Sequence, residues 1–174
     1  SMISDCSDLK VDKEKTLDLI HKINPTYIFV DRSEGLNYED FSWIGSVKNS
    51  YKIFDASQYF TQIITKDYPS PFEWGFDMIV STLHKNYPGP QKGIIAVQDK
   101  NSTVWRRYLE NAKTYISNTH PVDIVNSVIP LLDEKAFINY SKTCIECASM
   151  LDQELKKRGV TVISRRMTEP STLH

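Results

Sequence analysis

Apolar and polar positions along this chain follow two different periods, and each change of period marks a new predicted element. Four short apolar runs have the length and continuity of strands buried within a sheet: TYIFV (26–30), YKIFD (51–55), FDMIVS (76–81) and GIIAV (93–97). Elsewhere apolar residues recur every three or four positions, which predicts helices. The predicted helical segments are 11–23, 38–50, 102–117, 121–132 and 134–158.

Residues at the ends of these segments support the assignment. Asp12 stands near the start of the first helix, and Pro25 follows its end. Gly159 is a suitable stop for the last helix, before a fifth apolar run, VTVIS (160–164). Because strands alternate with helices, the order predicts a mainly parallel sheet covered on both faces, which is a three-layer α/β/α architecture.

Composition and charge narrow the classes of partner. The 174 residues are 40% hydrophobic and 25% charged, and the net charge is −1 with both signs mixed along the chain. This balance gives no electrostatic reason to expect a nucleic-acid or anionic-membrane partner. No apolar run approaches the roughly 18 to 20 residues that span a bilayer, and the first ten residues lack a signal-peptide pattern. We therefore expect a cytoplasmic protein.

Three cysteines, Cys6, Cys144 and Cys147, form no disulfide framework. The spacing CIEC (144–147) would also suit a redox pair or half of a zinc site, but a zinc site needs a second pair of ligands. The motif instead lies on the apolar stripe of the last predicted helix, together with Phe137, Tyr140, Leu151 and Leu155. We expect buried core thiols and no metal.

Two reactive side chains stand where predicted strands end. Asp55 closes YKIFD, and Lys85 follows FDMIVSTLH. Taken singly, the aspartate is typical of a helix cap and the lysine of a solvated surface charge. Ligands of parallel α/β sheets bind at the carboxyl ends of strands, where both residues lie. The pair suits pyridoxal 5′-phosphate, because an amine can bind its aldehyde while a carboxylate keeps its ring nitrogen protonated.

The stretch 51–97 resembles serine hydroxymethyltransferase, a fold-type I pyridoxal-phosphate enzyme. An apolar strand that ends in aspartate is followed by YPSPF (68–72), then by a His-Lys pair and by Gly-Pro. The residues that carry this resemblance are Asp55, the run 68–72, Asp77, Thr82, His84, Lys85, Gly89, Pro90 and Gly93. Weaker similarity extends over most of the chain. The resemblance implies a fold-type I transferase large domain, present only in part.

Site residues follow from this resemblance, position by position. Lys85 would be the Schiff-base lysine, with His84 beside it, and Asp55 would be the partner of the pyridine nitrogen. The remaining cofactor contacts that the resemblance implies are Ser57 against one face of the ring, Gln58 beside it, Thr82 next to the lysine and Ser33 near the ring hydroxyl.

Two positions depart from the family pattern. Gln58 stands where the family has a histidine, and Gln91 stands where it has the arginine of Gly-Pro-Arg. Glutamine can form hydrogen bonds but cannot take up or release a proton as histidine does, and the loss of the arginine removes a bidentate cation. These changes argue against a reaction that needs tetrahydrofolate. They leave open hydroxymethyltransferase-like cleavage or formation of a Cα–Cβ bond, L-threonine transaldolase-type exchange without folate, and a catalytically degenerate copy.

The resemblance also implies a larger assembly. Residues 1–163 correspond to the central and later part of the large domain, and 164–174 to the start of the link into a small C-terminal domain. The expected partners are an amino acid, an aldehyde, the remaining segments of the parent protein and a second copy in a homodimer. The isolated chain is expected to be inactive, since the family's phosphate-binding groups and its substrate-carboxylate arginine lie outside it.

Overall fold

Helices and strands follow one another in an order close to the predicted one. The computed structural model describes residues 11–32, 38–115 and 120–162. Its helices are α1 (Lys13–Ile23), α2 (Ser42–Gly45), α3 (Phe60–Ile64), α4 (Thr103–Tyr115), α5 (Pro121–Val128) and α6 (Glu134–Lys157). Its strands are β1 (Tyr27–Asp31), β2 (Tyr51–Asp55), β3 (Met78–Thr82) and β4 (Gly93–Val97).

The helix boundaries have identifiable local causes. Asp12 caps α1, because its side chain accepts a hydrogen bond from Lys15 N. Asp133 does the same for Ala136 N at the start of α6. The prediction of one helix over 121–132 is wrong at its end: a 3₁₀ turn covers Ile129–Leu131. Pro130 lies in this turn and has no N–H to continue the α-helical ladder.

The sheet is mainly parallel, as predicted. Its strand order is β1-β2-β3-β4, with β1, β2 and β3 parallel and β4 antiparallel to β3. Residues 160–162 are not in a strand, so the first part of the predicted fifth strand is wrong, and its remainder lies outside the described residues. The predicted helix over 38–50 shrinks to the single turn of α2.

One face of the sheet carries the main core. Ile28 and Val30 of β1, Phe54 of β2 and Ile79 of β3 lie on this face and are buried. Aromatic rings extend the core beyond the sheet, since the ring of Phe54 lies 5.3 Å from that of Phe76 in an edge-to-face arrangement. This packing fixes which strand residues face inward and therefore which face the other side.

The opposite face of β1 is open, so the prediction that this strand is buried on both faces is wrong. The side chains of Tyr27 and Phe29 are 53% and 45% exposed. Phe137 of α6 joins a second buried cluster, with Phe60 of α3 and Tyr87.

Burial of the cysteine motif is also predicted wrongly. Cys147 is exposed and Cys144 only half-buried, although both lie on a helix as expected. The buried residues of α6 are Phe137, Ser141 and Asp152. Of the predicted apolar stripe, Tyr140, Cys147 and Leu151 are exposed, while Cys144 and Leu155 are half-buried.

The described residues contain neither a metal-binding cluster nor a membrane-spanning helix. No group of three or more His, Cys, Asp or Glu side chains within 11–32, 38–115 and 120–162 could hold a metal ion. Within the same ranges, no helix is long and apolar enough to cross a membrane.

Candidate functional site

The carboxyl ends of β2 and β3 bring two of the expected site residues to one face of the sheet. Asp55 is the last residue of β2 and lies in register with Val80 of β3. Thr82 ends β3 two positions further along, so its side chain points to the same side as that of Val80. Asp55 and Thr82 therefore share the face opposite the main core.

Asp55 organises the turn that follows it. Its Oδ1 accepts a hydrogen bond of 2.9 Å from Ser57 N, which is a local turn geometry typical of aspartate. Ser57 is buried and Gln58 is half-buried. The alternative role for Asp55, that of a helix cap, does not apply to α3, because the N-cap residue of α3 is Tyr59.

Thr82 carries a buried hydroxyl whose hydrogen-bonding capacity is unused. Its Oγ1 has no hydrogen-bond partner among the described residues. A buried hydroxyl left in this state costs about 1–3 kcal/mol. Such a group at the end of a strand is well placed to meet a polar atom of a ligand.

His84 and Lys85 are exposed at the start of the loop that joins β3 to β4. Leu83 N donates to Lys92 O at 2.8 Å and closes this loop at its base. Gly89 N donates to Leu83 O at the same distance, which folds the loop back on itself. Lys85 is therefore an exposed residue of a closed loop, just beyond Thr82.

The residues after Lys85 anchor this loop to the protein interior. Asn86 Oδ1 accepts from Thr61 N, and Asn86 O accepts from Thr61 Oγ1, each at 2.8 Å. Tyr87 is 2% exposed, and its Oη donates to Ser127 O of α5 at 2.5 Å. Burial raises the pKa of Tyr87 above its usual value, so this donor stays protonated near neutral pH.

Sequence reasoning missed Asn86 and Tyr87. Both stand in a stretch rich in proline and glycine, which indicates only a turn. Asparagine in a turn often bonds nearby backbone, but the partner here is Thr61, 25 positions away. The signal available in the sequence was an aromatic residue, Tyr87, inside an otherwise polar turn.

A small cavity lies on the core side of the sheet. It measures about 20 Å³, and its lining includes Phe54, Tyr38, Tyr68 and the ion pair of Arg32 with Glu39, whose Nη1 and Oε2 atoms are 3.1 Å apart. Burial, with a smaller effect of the Asp40 charge, raises the pKa of Tyr38 to about 12. This volume suits one water molecule and is too small for a cofactor.

Comparison with known proteins decides the family. Over 122 residues, 68% of this chain, it is 31% identical to serine hydroxymethyltransferase from Pyrobaculum calidifontis. Over 165 residues, 90% of this chain, it is 28% identical to serine hydroxymethyltransferase from Wolbachia pipientis wMel. The chain is a serine hydroxymethyltransferase homologue. No protein-family model matches it.

This homologue spans only part of the relatives' length. It covers 28% of the Pyrobaculum calidifontis protein and 37% of the Wolbachia protein. Its fold matches the crystal structure of L-threonine transaldolase from Pseudomonas fluorescens with a TM-score of 0.80 and 20% identity, over 90% of this chain and 37% of that one. The fold is therefore that of fold-type I pyridoxal-phosphate enzymes, present as a partial domain.

The residues of this serine hydroxymethyltransferase homologue fit the cofactor that its family uses. Pyridoxal phosphate offers an aldehyde, a ring nitrogen and a ring hydroxyl. The candidate site offers the exposed amine of Lys85, the carboxylate of Asp55 and the unpartnered hydroxyl of Thr82. Ser33 lies outside the described residues.

The two departures from the family pattern have different surroundings. Gln58 is half-buried and directly follows Ser57 in the turn after β2, so its amide lies next to the candidate site. Gln91 is exposed. The neighbouring Lys92 pairs with Asp123 of α5, with 3.3 Å between Nζ and Oδ2. A cation is therefore present in this loop, but it is already paired.

Proposed function

We propose that the chain is the central part of the large domain of a pyridoxal-phosphate enzyme that acts on β-hydroxy amino acids, as serine hydroxymethyltransferases do. The reaction would break or form a Cα–Cβ bond. The observation that carries the proposal is the shared face of Asp55 and Thr82, with Lys85 on the closed loop just beyond. Homology to serine hydroxymethyltransferases supports it.

Each residue has a role that its chemistry allows. When bound, pyridoxal phosphate supplies an electron-accepting ring. Lys85 would hold the aldehyde carbon through its amine, and Asp55 would keep the proton on the ring nitrogen. Thr82 Oγ1 would donate a hydrogen bond to a polar atom of the cofactor.

Three neighbours shape the site around these groups. Ser57, buried in the turn after β2, would pack against the ring, and the amide of the half-buried Gln58 would donate a hydrogen bond beside it. His84, next to the lysine, would exchange protons near the reacting carbon, because an imidazole ring has both a nitrogen that donates and a nitrogen that accepts.

The active protein would be larger than this chain. We propose that residues 1–163 belong to the large domain and that 164–174 lead towards a small C-terminal domain. Relatives that match at least 90% of this chain are much longer, and the chain covers only 37–39% of their length. The phosphate-binding groups and the substrate-carboxylate arginine would therefore come from the remaining segments of the parent protein and from a homodimer partner. The isolated chain should therefore not turn over substrate.

The test uses the protein at the length of its relatives. Adding pyridoxal phosphate should produce a visible absorption band, and Lys85→Ala should abolish it. Lys100→Ala is the matched control, because Lys100 is also exposed but lies in the turn after β4, away from the site. A full-length protein without a band would overturn the proposal and favour a degenerate copy retained for its fold.

Transaldolase-type exchange is the second candidate function, and Gln58 is the observation that favours it. A glutamine at this position cannot take up and release a proton, which argues against the tetrahydrofolate-dependent reaction. The two reactions separate when threonine and an aromatic aldehyde are supplied without folate. A new β-hydroxy amino acid would favour exchange, whereas turnover of serine only with tetrahydrofolate would favour hydroxymethyl transfer.

A further inference from the structure

We propose that Asn86 is a positioning residue for Lys85, which it fixes relative to Asp55 by binding the start of α3. The inference rests on the proposed function, because it matters only if Lys85 and Asp55 act on one molecule. Asn86 is adjacent to Lys85 in sequence, so any restraint on its backbone restrains the lysine as well.

The restraint is a pair of hydrogen bonds to a single residue. Thr61 N donates to Asn86 Oδ1, and Thr61 Oγ1 donates to Asn86 O. Thr61 is fully buried. Two bonds that involve both the side chain and the backbone of Asn86 fix its orientation as well as its position.

Thr61 lies on the segment that Asp55 begins. The chain runs from Asp55 through the turn at Ser57 directly into α3, and Thr61 is in the first turn of that helix. The Asn86–Thr61 pair therefore ties the loop after β3 to the segment after β2. The two proposed ends of the cofactor site are connected by side-chain contact as well as by the sheet.

Tyr87, the next residue, also anchors this loop. Tyr87 packs edge-to-face against Phe60 and Phe137, with ring centroids 5.5 Å apart in both cases. Phe60 immediately precedes Thr61, so Asn86 and Tyr87 contact adjacent residues at the start of α3. Lys85 is the exposed residue beside this anchored pair, which leaves its amine accessible on a fixed backbone.

The experiment measures where pyridoxal phosphate reacts on the protein at the length of its relatives. The adduct is reduced with borohydride, and mass spectrometry gives its yield at Lys85 relative to the exposed Lys48 and Lys100. Asn86→Ala should lower the Lys85 yield about three- to tenfold, the size expected for one neutral hydrogen bond. The yields at Lys48 and Lys100 should not change.

Asn86→Asp is the conservative variant, because its carboxylate still accepts from Thr61 N. Labelling of Lys85 in Asn86→Asp should therefore reach the wild-type plateau. Asn86→Ala should lower the plateau. Amide exchange at Thr61 should become faster in Asn86→Ala and remain slow in Asn86→Asp, which reports on the contact without any cofactor.

The outcomes separate the two claims. If Lys85 is labelled selectively in the wild type and Asn86→Ala leaves its yield unchanged, the positioning role alone is overturned. A failure of Asn86→Asp to restore the plateau would overturn it too. Unselective labelling of the wild type would overturn the proposed function, together with the inference that depends on it.

Discussion

Gly45, at the end of α2, is the position where one added methyl group should be most damaging. A Cβ placed there would overlap the carbonyl oxygen of Trp74 and lie 3.0 Å from its carbonyl carbon. Both obstacles are backbone atoms, so no side chain can rotate away. Overpacking of a core costs about 1–3 kcal/mol where side chains can adjust. We expect Gly45→Ala to lower the free energy of unfolding by at least about 3 kcal/mol.

Two other glycines provide matched controls. A Cβ at Gly93 meets its nearest neighbour, Ser81 O, at 3.6 Å, so Gly93→Ala should change stability by less than about 1 kcal/mol. Gly159 has φ +78° and nothing within 4 Å, so Gly159→Ala should cost only the backbone strain of about 1–2 kcal/mol. Urea unfolding followed by circular dichroism gives all three values. Equal stability of Gly45→Ala and Gly93→Ala would refute the close approach of α2 to residues 71–76.

Three further measurements test other parts of the structure. Phe54→Ala should cost about 3–5 kcal/mol, whereas Phe29→Ala, on the open face, should cost about 1 kcal/mol; equal losses in urea unfolding would mean that this face is covered. Burial raises the pKa of Tyr68, so folding stability should fall as pH rises above about 10, the value of an unfolded tyrosine. Tyr68→Phe should make this alkaline loss smaller in pH-dependent melting curves, and an unchanged loss would contradict the assignment. Ser141→Ala removes a buried donor to Asp67 and should cost about 1.5–3 kcal/mol by thermal melting, while no change would rule out a stabilising role for the contact.

The strands were predictable because the buried runs are short, continuous and bounded by turn residues. β2 coincides with YKIFD, and β4 coincides with GIIAV. The antiparallel direction of β4 was not predicted, because apolar periodicity carries no information on strand direction. α3 was missed as well, since its five residues are too few to show a helical period.

Burial was predicted less well than secondary structure. Phe29 and Cys147 belong to apolar patterns that indicate a core, yet both are exposed. A pattern shows that a face is suited to packing, but another element must be present to cover it. In this partial domain, which spans about two fifths or less of its relatives' length, the described residues do not supply that cover.

The candidate site was predictable to the extent that it depends on strand ends. Asp55 and Thr82 are the last residues of neighbouring strands, and the register places them on one face. Whether Lys85 and Asp55 bind one cofactor stays a prediction. The contact between Asn86 and Thr61 could not be foreseen, because it depends on how a loop folds back against a helix.

The reversed direction of β4 determines where a probe can be attached without disturbing the site. β4 runs back alongside β3, and Gln98 N donates to Asp77 O at the amino end of β3. Thr82 lies at the carboxyl end of β3, about 16 Å from Asp77 along the strand. A fluorophore or a surface tether at the exposed turn 99–101 would therefore leave the approach to Lys85 open, and single-molecule measurements on the immobilised chain become practical.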